Sequence, residues 1–178
     1  MKRIVADPTK CMACRACEFA CALAHVDTDD LVEAILDRGA KPRIYIELAS
    51  GLAVPLQCRH CEDAPCVRVC PSGALSRPSE AEPVLVDQEK CIGCAFCVEA
   101  CPFGVIRLAV RSAADASGSQ KAVVKCDLCV SRQAEGLQPA CVSACPVGAL
   151  SFQELDEKAR RARARAAAQA VAAGLPVQ

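Results

Sequence analysis

The residues of this chain with the widest chemical reach are its sixteen cysteines, spread over 178 positions at regular spacing. They form four groups of four: Cys11, Cys14, Cys17 and Cys21; Cys58, Cys61, Cys66 and Cys70; Cys91, Cys94, Cys97 and Cys101; Cys126, Cys129, Cys141 and Cys145. Every group ends in Cys-x3-Cys, the third repeats the spacing of the first, and eleven residues separate Cys129 from Cys141. Thiolates at such density serve disulfides, zinc or iron–sulfur clusters.

A Cys-x2-Cys-x2-Cys loop brings three thiolates to three corners of one [4Fe–4S] cube, because successive ligands ride on one curved stretch of backbone. In the run C-x2-C-x2-C-x3-C-P the last cysteine reaches a neighbouring cluster. Cys91 to Pro102 fits that run in full. Cys70-Pro71 and Cys145-Pro146 repeat its ending, with Gly73 and Gly148 at a shared offset, whereas Cys21 precedes Ala22. A four-ligand zinc site has no use for repeated Cys-x3-Cys endings, and disulfides require an oxidising compartment. Four [4Fe–4S] clusters are the expectation, all sixteen cysteines being candidate ligands.

Composition agrees with an inorganic interior: there is no Trp, one Tyr and four Phe, so few large side chains can fill a core. Twenty-one basic residues balance twenty-one acidic ones, which argues against nucleic acid as a partner. Bound clusters, each with a net charge on the order of −2, would make the loaded chain acidic. The short segment before Cys11 has no room for an export signal, and no apolar run is long enough to span a bilayer, so a reducing cytoplasm without direct membrane insertion is expected. His25 and His60 are the only histidines, and no nucleophile–base set or phosphate-binding glycine loop accompanies them. The chain is not expected to be catalytic alone. His25 reads as structural, and His60 either as a loop side chain or as a hydrogen-bond donor to cluster sulfur.

These cysteines must be held by short elements. Strand-like runs occur at Ile4-Val5-Ala6, Ile44-Tyr45-Ile46, Val84-Leu85-Val86, Val105-Ile106-Arg107-Leu108 and Val123-Val124. Glu18-Phe19-Ala20 and Val98-Glu99-Ala100 suit helical turns that put flanking cysteines on one face. Thr28 to Leu36 predicts a helix capped by Thr28, and 111–120, rich in Ser, Ala and Gly, an exposed linker. From Gln153 to Ala173 the Ala- and Arg-rich sequence predicts one long helix with a narrow small-residue face at Leu155, Ala159, Ala162 and Ala166.

The four-motif order, including Cys58-Arg59-His60-Cys61-Glu62-Asp63-Ala64-Pro65-Cys66, resembles the four-cluster ferredoxin-like electron-transfer subunits of formate dehydrogenases, hydrogenases, carbon monoxide dehydrogenases and dimethyl sulfoxide reductases. The resemblance implies an α+β fold of two bacterial dicluster ferredoxin-like modules, one inserted in the other, plus a C-terminal α-helix. It places an outer module at 1–50 with 121–152, an inserted module at 51–112, a linker at 113–120 and the helix at 153–173. It also implies ligand sets: Cys11, Cys14, Cys17 with Cys145; Cys126, Cys129, Cys141 with Cys21; Cys58, Cys61, Cys66 with Cys101; Cys91, Cys94, Cys97 with Cys70. Function would be electron relay from a catalytic oxidoreductase subunit with a tungsten or molybdenum pterin, a tungsten aldehyde oxidoreductase being favoured, to a flavin/NAD subunit. The helix would mediate self-association into an oligomer. The alternative is a soluble polyferredoxin serving a carbon monoxide dehydrogenase, hydrogenase or formate dehydrogenase.

Overall fold

The computed structural model describes residues 2–110 and 121–173, so the proposed linker at 111–120 lies outside the described residues. In chain order the elements are β1 (Lys2–Ala6), α1 (Ala16–Leu23), α2 (Leu31–Leu36), β2 (Ile44–Ala49), β3 (Leu52–Gln57), α3 (Pro65–Arg68), β4 (Leu75–Ser76), β5 (Leu85–Val86) and α4 (Phe96–Glu99). There follow β6 (Arg107–Val110), β7 (Lys121–Val124), α5 (Val130–Ala134), α6 (Ala140–Ser143), β8 (Leu150–Glu154) and α7 (Leu155–Ala172). The mixture is α+β, with short helices and antiparallel strand pairs: β1 with β8, β2 with β3, β4 with β5 and β6 with β7.

Local chemistry explains where several elements differ from the sequence expectation. The cap of α2 is Asp30 rather than Thr28: its carboxylate accepts from the Val32 and Glu33 N–H groups at 2.7 and 3.1 Å, while the Thr28 hydroxyl donates to Glu33 instead. Strand β3 was not foreseen, because Pro55 removes a backbone donor and argues against a strand. In a two-stranded hairpin the missing donor can face away from the partner. Its turn, Ser50-Gly51, has φ of 50° and 78°, the double left-handed turn that matches strand twist. Helix α7 begins two residues later than expected, since Gln153 and Glu154 are still pairing with Arg3 and Lys2.

Two cores form. The first gathers Ile4, Ile44, Ile46, Ala53, Leu128 and Leu150 with Cys17, Cys21, Cys126 and Cys141, and Cys11, Cys58 and Cys145 lean on it. The second gathers Ala64, Ala74, Leu75, Val84, Ile106, Ala122 and Val123 with Cys66, Cys91 and Cys97, and Cys70 and Cys101 lean on that. The helices follow the same division, α1 packing on α6 and α3 on α4. Two segments lie across the limits drawn from sequence: β3 joins the first core through Ala53, and β7, drawn into the second core by its ladder with β6, contributes Ala122 and Val123 there.

Candidate metal centres

One local design recurs in every cysteine group. The third cysteine, Cys17, Cys66, Cys97 or Cys141, is the second residue of α1, α3, α4 or α6, and the fourth follows one helical turn later. The loops leading into three of these helices end on a residue of positive φ, Arg15 (60°), Ala64 (29°) and Ala95 (66°), while Cys129 (53°) opens α5. Ala13 (58°), Gly93 (70°), His60 (49°) and Leu128 (61°) bend the same loops further. Left-handed backbone costs a residue with a Cβ about 1–2 kcal/mol. These loops therefore store strain in curling around their cysteines. Backbone N–H groups point at sulfur, donating from Arg43 to Cys21 (3.2 Å), His60 to Cys58 (3.4 Å), Leu128 to Cys126 (3.4 Å) and Ala149 to Cys145 (3.2 Å). After each Cys-Pro, the glycine three residues beyond the cysteine, Gly73, Gly104 or Gly148, has φ of 60–66° and donates its N–H to that cysteine's carbonyl.

None of the sixteen cysteines is joined in a disulfide. A small cavity is lined by Cys58, Cys61, Cys66 and Cys101 together with His60, Val84 and Phe103. A second is lined by Cys91, Cys94, Cys97 and Cys70. Each cavity thus takes three cysteines from one group and the last from the other. The first and fourth groups share the first core, where Cys17, Cys21, Cys126 and Cys141 are buried; Cys129 is buried too. Burial pushes the Cys17 and Cys97 thiols up to about 11, and Cys126 and Cys141 further in the same direction. Thiols so held are neutral in the empty chain, so a metal must displace their protons on binding. Cys14 and Cys94 alone among the cysteines are exposed.

His60 is not a partly exposed loop residue, being 1% accessible. Its Nδ1 accepts from the Val84 N–H at 3.1 Å, which leaves the proton on Nε2, and that atom is buried with no hydrogen-bond partner. Burial and the neighbouring Lys125 and Arg3 cations push the imidazole down to about 2, so it stays neutral. A buried N–H without an acceptor, on the wall of a cavity lined by four thiols, fits a cluster whose sulfurs accept weak hydrogen bonds. His25 is structural: its Nε2 lies 3.2 Å from the Asp127 carboxylate, whose other oxygen accepts from Arg43 at 2.6 Å. Burial lowers His25, but its contacts with the Asp127 carboxylate, Cys129 and Cys21 together outweigh that and hold the ring up to about 11.

Three further cations near the site carry no mark in residue type or spacing. Lys125 is 2% exposed and donates to the Val84 and Cys126 carbonyls. Arg3 donates to the His60 carbonyl at 2.8 Å, and Arg77 to those of His60, Cys61 and Glu62. The two arginines serve one loop, and Lys125 holds the segments at Val84 and Cys126.

Comparison with known proteins matches the 4Fe-4S dicluster domain over residues 49–155, and a second 4Fe-4S dicluster domain over residues 10–75. An iron-sulfur protein of Rhodospirillum rubrum is 41% identical over 170 residues, which cover 91% of this chain and 88% of that one. The electron transport protein HydN of Escherichia coli (strain K12) is 43% identical, with 83% and 85% covered. The thiosulfate reductase electron transfer subunit PhsB of Salmonella typhi is 40% identical, with 85% and 74% covered.

Proposed function

This chain belongs to the 4Fe-4S dicluster family and carries four [4Fe–4S] clusters, and from that premise we propose that it relays electrons between a catalytic oxidoreductase subunit and a second redox partner. When bound, such a cluster takes up and returns single electrons at a potential tuned by hydrogen bonds, charge and exposure. The chain's own residues supply those three controls. Its thiolates grip iron, its backbone N–H groups reach sulfur, and its two cores keep most cysteines from water.

The proposed ligand sets are Cys11, Cys14, Cys17 with Cys145; Cys126, Cys129, Cys141 with Cys21; Cys58, Cys61, Cys66 with Cys101; and Cys91, Cys94, Cys97 with Cys70. What supports them most directly is the pair of cavities that mix the second and third groups in that combination. The module of the second and third groups is then inserted between the two halves of the other. Cys21→Ala tests the crossing: spectra should show damage to the cluster of the distant Cys126 group, and damage confined to the Cys11 cluster refutes the assignment.

Partners meet the chain at its exposed sulfurs. Cys14 is flanked by Met12, 62% exposed, and Cys94 by Ile92 and Phe96, each 59% exposed, so redox centres of two partners can approach two separate groups across apolar contact surfaces. The favoured catalytic partner is a tungsten aldehyde oxidoreductase subunit and the favoured acceptor a flavin/NAD subunit, in a reducing cytoplasm. The relatives named for electron transport and for thiosulfate reductase support an oxidoreductase partner in general. Anaerobic co-purification and metal analysis decide: tungsten in the associated large subunit is the expected result, and nickel redirects the assignment to carbon monoxide or hydrogen chemistry. The side chains described on α7 are all exposed, and its small-residue face is proposed to dock on a neighbouring subunit.

A further inference from the structure

We propose that Lys125, with Arg3 and Arg77 beside it, makes the site of Cys58, Cys61, Cys66 and Cys101 the highest-potential position of the four, an electron-holding point at the seam of the two cores. The inference rests on the ligand sets proposed above and goes beyond them, since cysteine positions say nothing about which site is easiest to reduce.

Lys125 is the seam residue. It precedes Cys126 of the first core, yet its ammonium donates to the carbonyl of Val84, a residue of the second core whose N–H is held in turn by His60. It is 2% exposed and forms none of the ion pairs found among the described residues. A buried ammonium on two carbonyls is poorly compensated, and a nearby anion is what the site lacks. Val84 lines the cavity of Cys58, Cys61, Cys66 and Cys101, so the ammonium on its carbonyl sits against that wall, while its other carbonyl partner is Cys126. An anionic cube held by Cys66 supplies the missing countercharge. By reciprocity, the ammonium favours the more negative, reduced form of that cube.

The second group collects more positive charge than the others. Arg3 acts on Cys58 and Cys61, and Arg77 rests on the carbonyls of the loop between them. The acids nearby, Glu62 and Asp63, are exposed, and Asp63 faces Arg68 at 3.5 Å, so water and salt weaken them. The leading influences on Cys70 and Cys97 in the neighbouring cavity are burial, hydrogen bonds and other thiols. Cys17 has the Glu18 carboxylate beside it, only 14% exposed. Near Cys21, Arg43 is already neutralised by Asp127. His60 lines the same cavity as Cys66, and its buried, unpartnered Nε2–H is a donor available to lower negative charge on sulfur.

The test is a redox titration of the full cluster-loaded chain followed by electron paramagnetic resonance, with iron content measured alongside. In the wild type, Cys66→Ser should abolish or alter the signal of highest midpoint, and alteration of another signal instead overturns the proposal. In Lys125→Met with iron unchanged, that midpoint should fall so that the reduced-to-oxidised ratio at fixed potential drops at least tenfold, which for one electron is about 59 mV. Lys125→Arg should restore most of it. A midpoint that stays put with iron intact overturns the role of Lys125. If Lys125→Met fails to hold iron, Arg77→Met carries the test, with the same centre expected to fall and an unmoved midpoint again refuting the proposal. A wild-type chain with far less iron than four cubes would instead overturn the ligand sets themselves.

Discussion

At the scale of single residues, the polar groups packed around the cysteines matter as much as the cysteines. His60 ties the second group to the strand segment at Val84, and its loss leaves a buried N–H without an acceptor. His60→Leu should therefore destabilise the chain by about 1–3 kcal/mol, read as a lower denaturant midpoint under anaerobic conditions, whereas an unchanged midpoint would mean that Val84 finds water. Asp127 joins His25 to Arg43 across 102 and 84 residues of sequence. Its two partners are mostly buried, so Asp127→Ala strands two cations in the first core, and a loss of about 2 kcal/mol is expected, below the cost for a fully buried pair because some water reaches the site. Stability unchanged within error would show that His25 simply releases its proton.

Elements act here as levers that aim sulfur. A glycine comparison separates backbone strain from collision. A Cβ on Gly93 would stand 2.5 Å from the Lys121 carbonyl oxygen of β7, and the residue also has φ of +70°. A Cβ on Gly73 meets nothing within 4 Å, with φ of +66°. Gly73→Ala should cost about 1–2 kcal/mol from conformation alone, leaving iron content near normal. Gly93→Ala must also push β7 away from the third cysteine loop, and should lower both stability and iron retention. Equal behaviour of the two variants would show that β7 yields easily. The hairpin β2–β3 is a lever of another kind, because Ile44, 1% exposed, and Ile46 press the first core against α1.

For the molecule as a whole, β1 and β8 join residues 2–6 and 150–154 in one ladder, with Ile4 opposite Phe152. The first core is thus assembled from sequence-distant halves, and the second folds from the stretch between them. Such non-local contacts fold slowly compared with local ones. Removal of α7 after Glu154 leaves this closure intact, since the helix begins only at Leu155. Cluster content should be unchanged in that truncation, while the complex with neighbouring subunits should shrink on gel filtration. A complex of unaltered size removes the docking role of the helix. No helix among the described residues is long and apolar enough to cross a membrane.

The sequence by itself determined the chemistry: cysteine spacing alone marks loops able to wrap iron, because ligand geometry is largely local. It also determined the α+β mixture, the positions of most strands and the long terminal helix. Only the tertiary structure decided what lies between the loops. Which last cysteine shares a cavity with which group, that β3 and β7 cross the module limits implied by the resemblance, and that Lys125 and His60 are buried at a seam are all long-range outcomes of packing. A lysine looks the same in sequence whether water or an opposite core surrounds it, and charge counts hide the one cation that matters most.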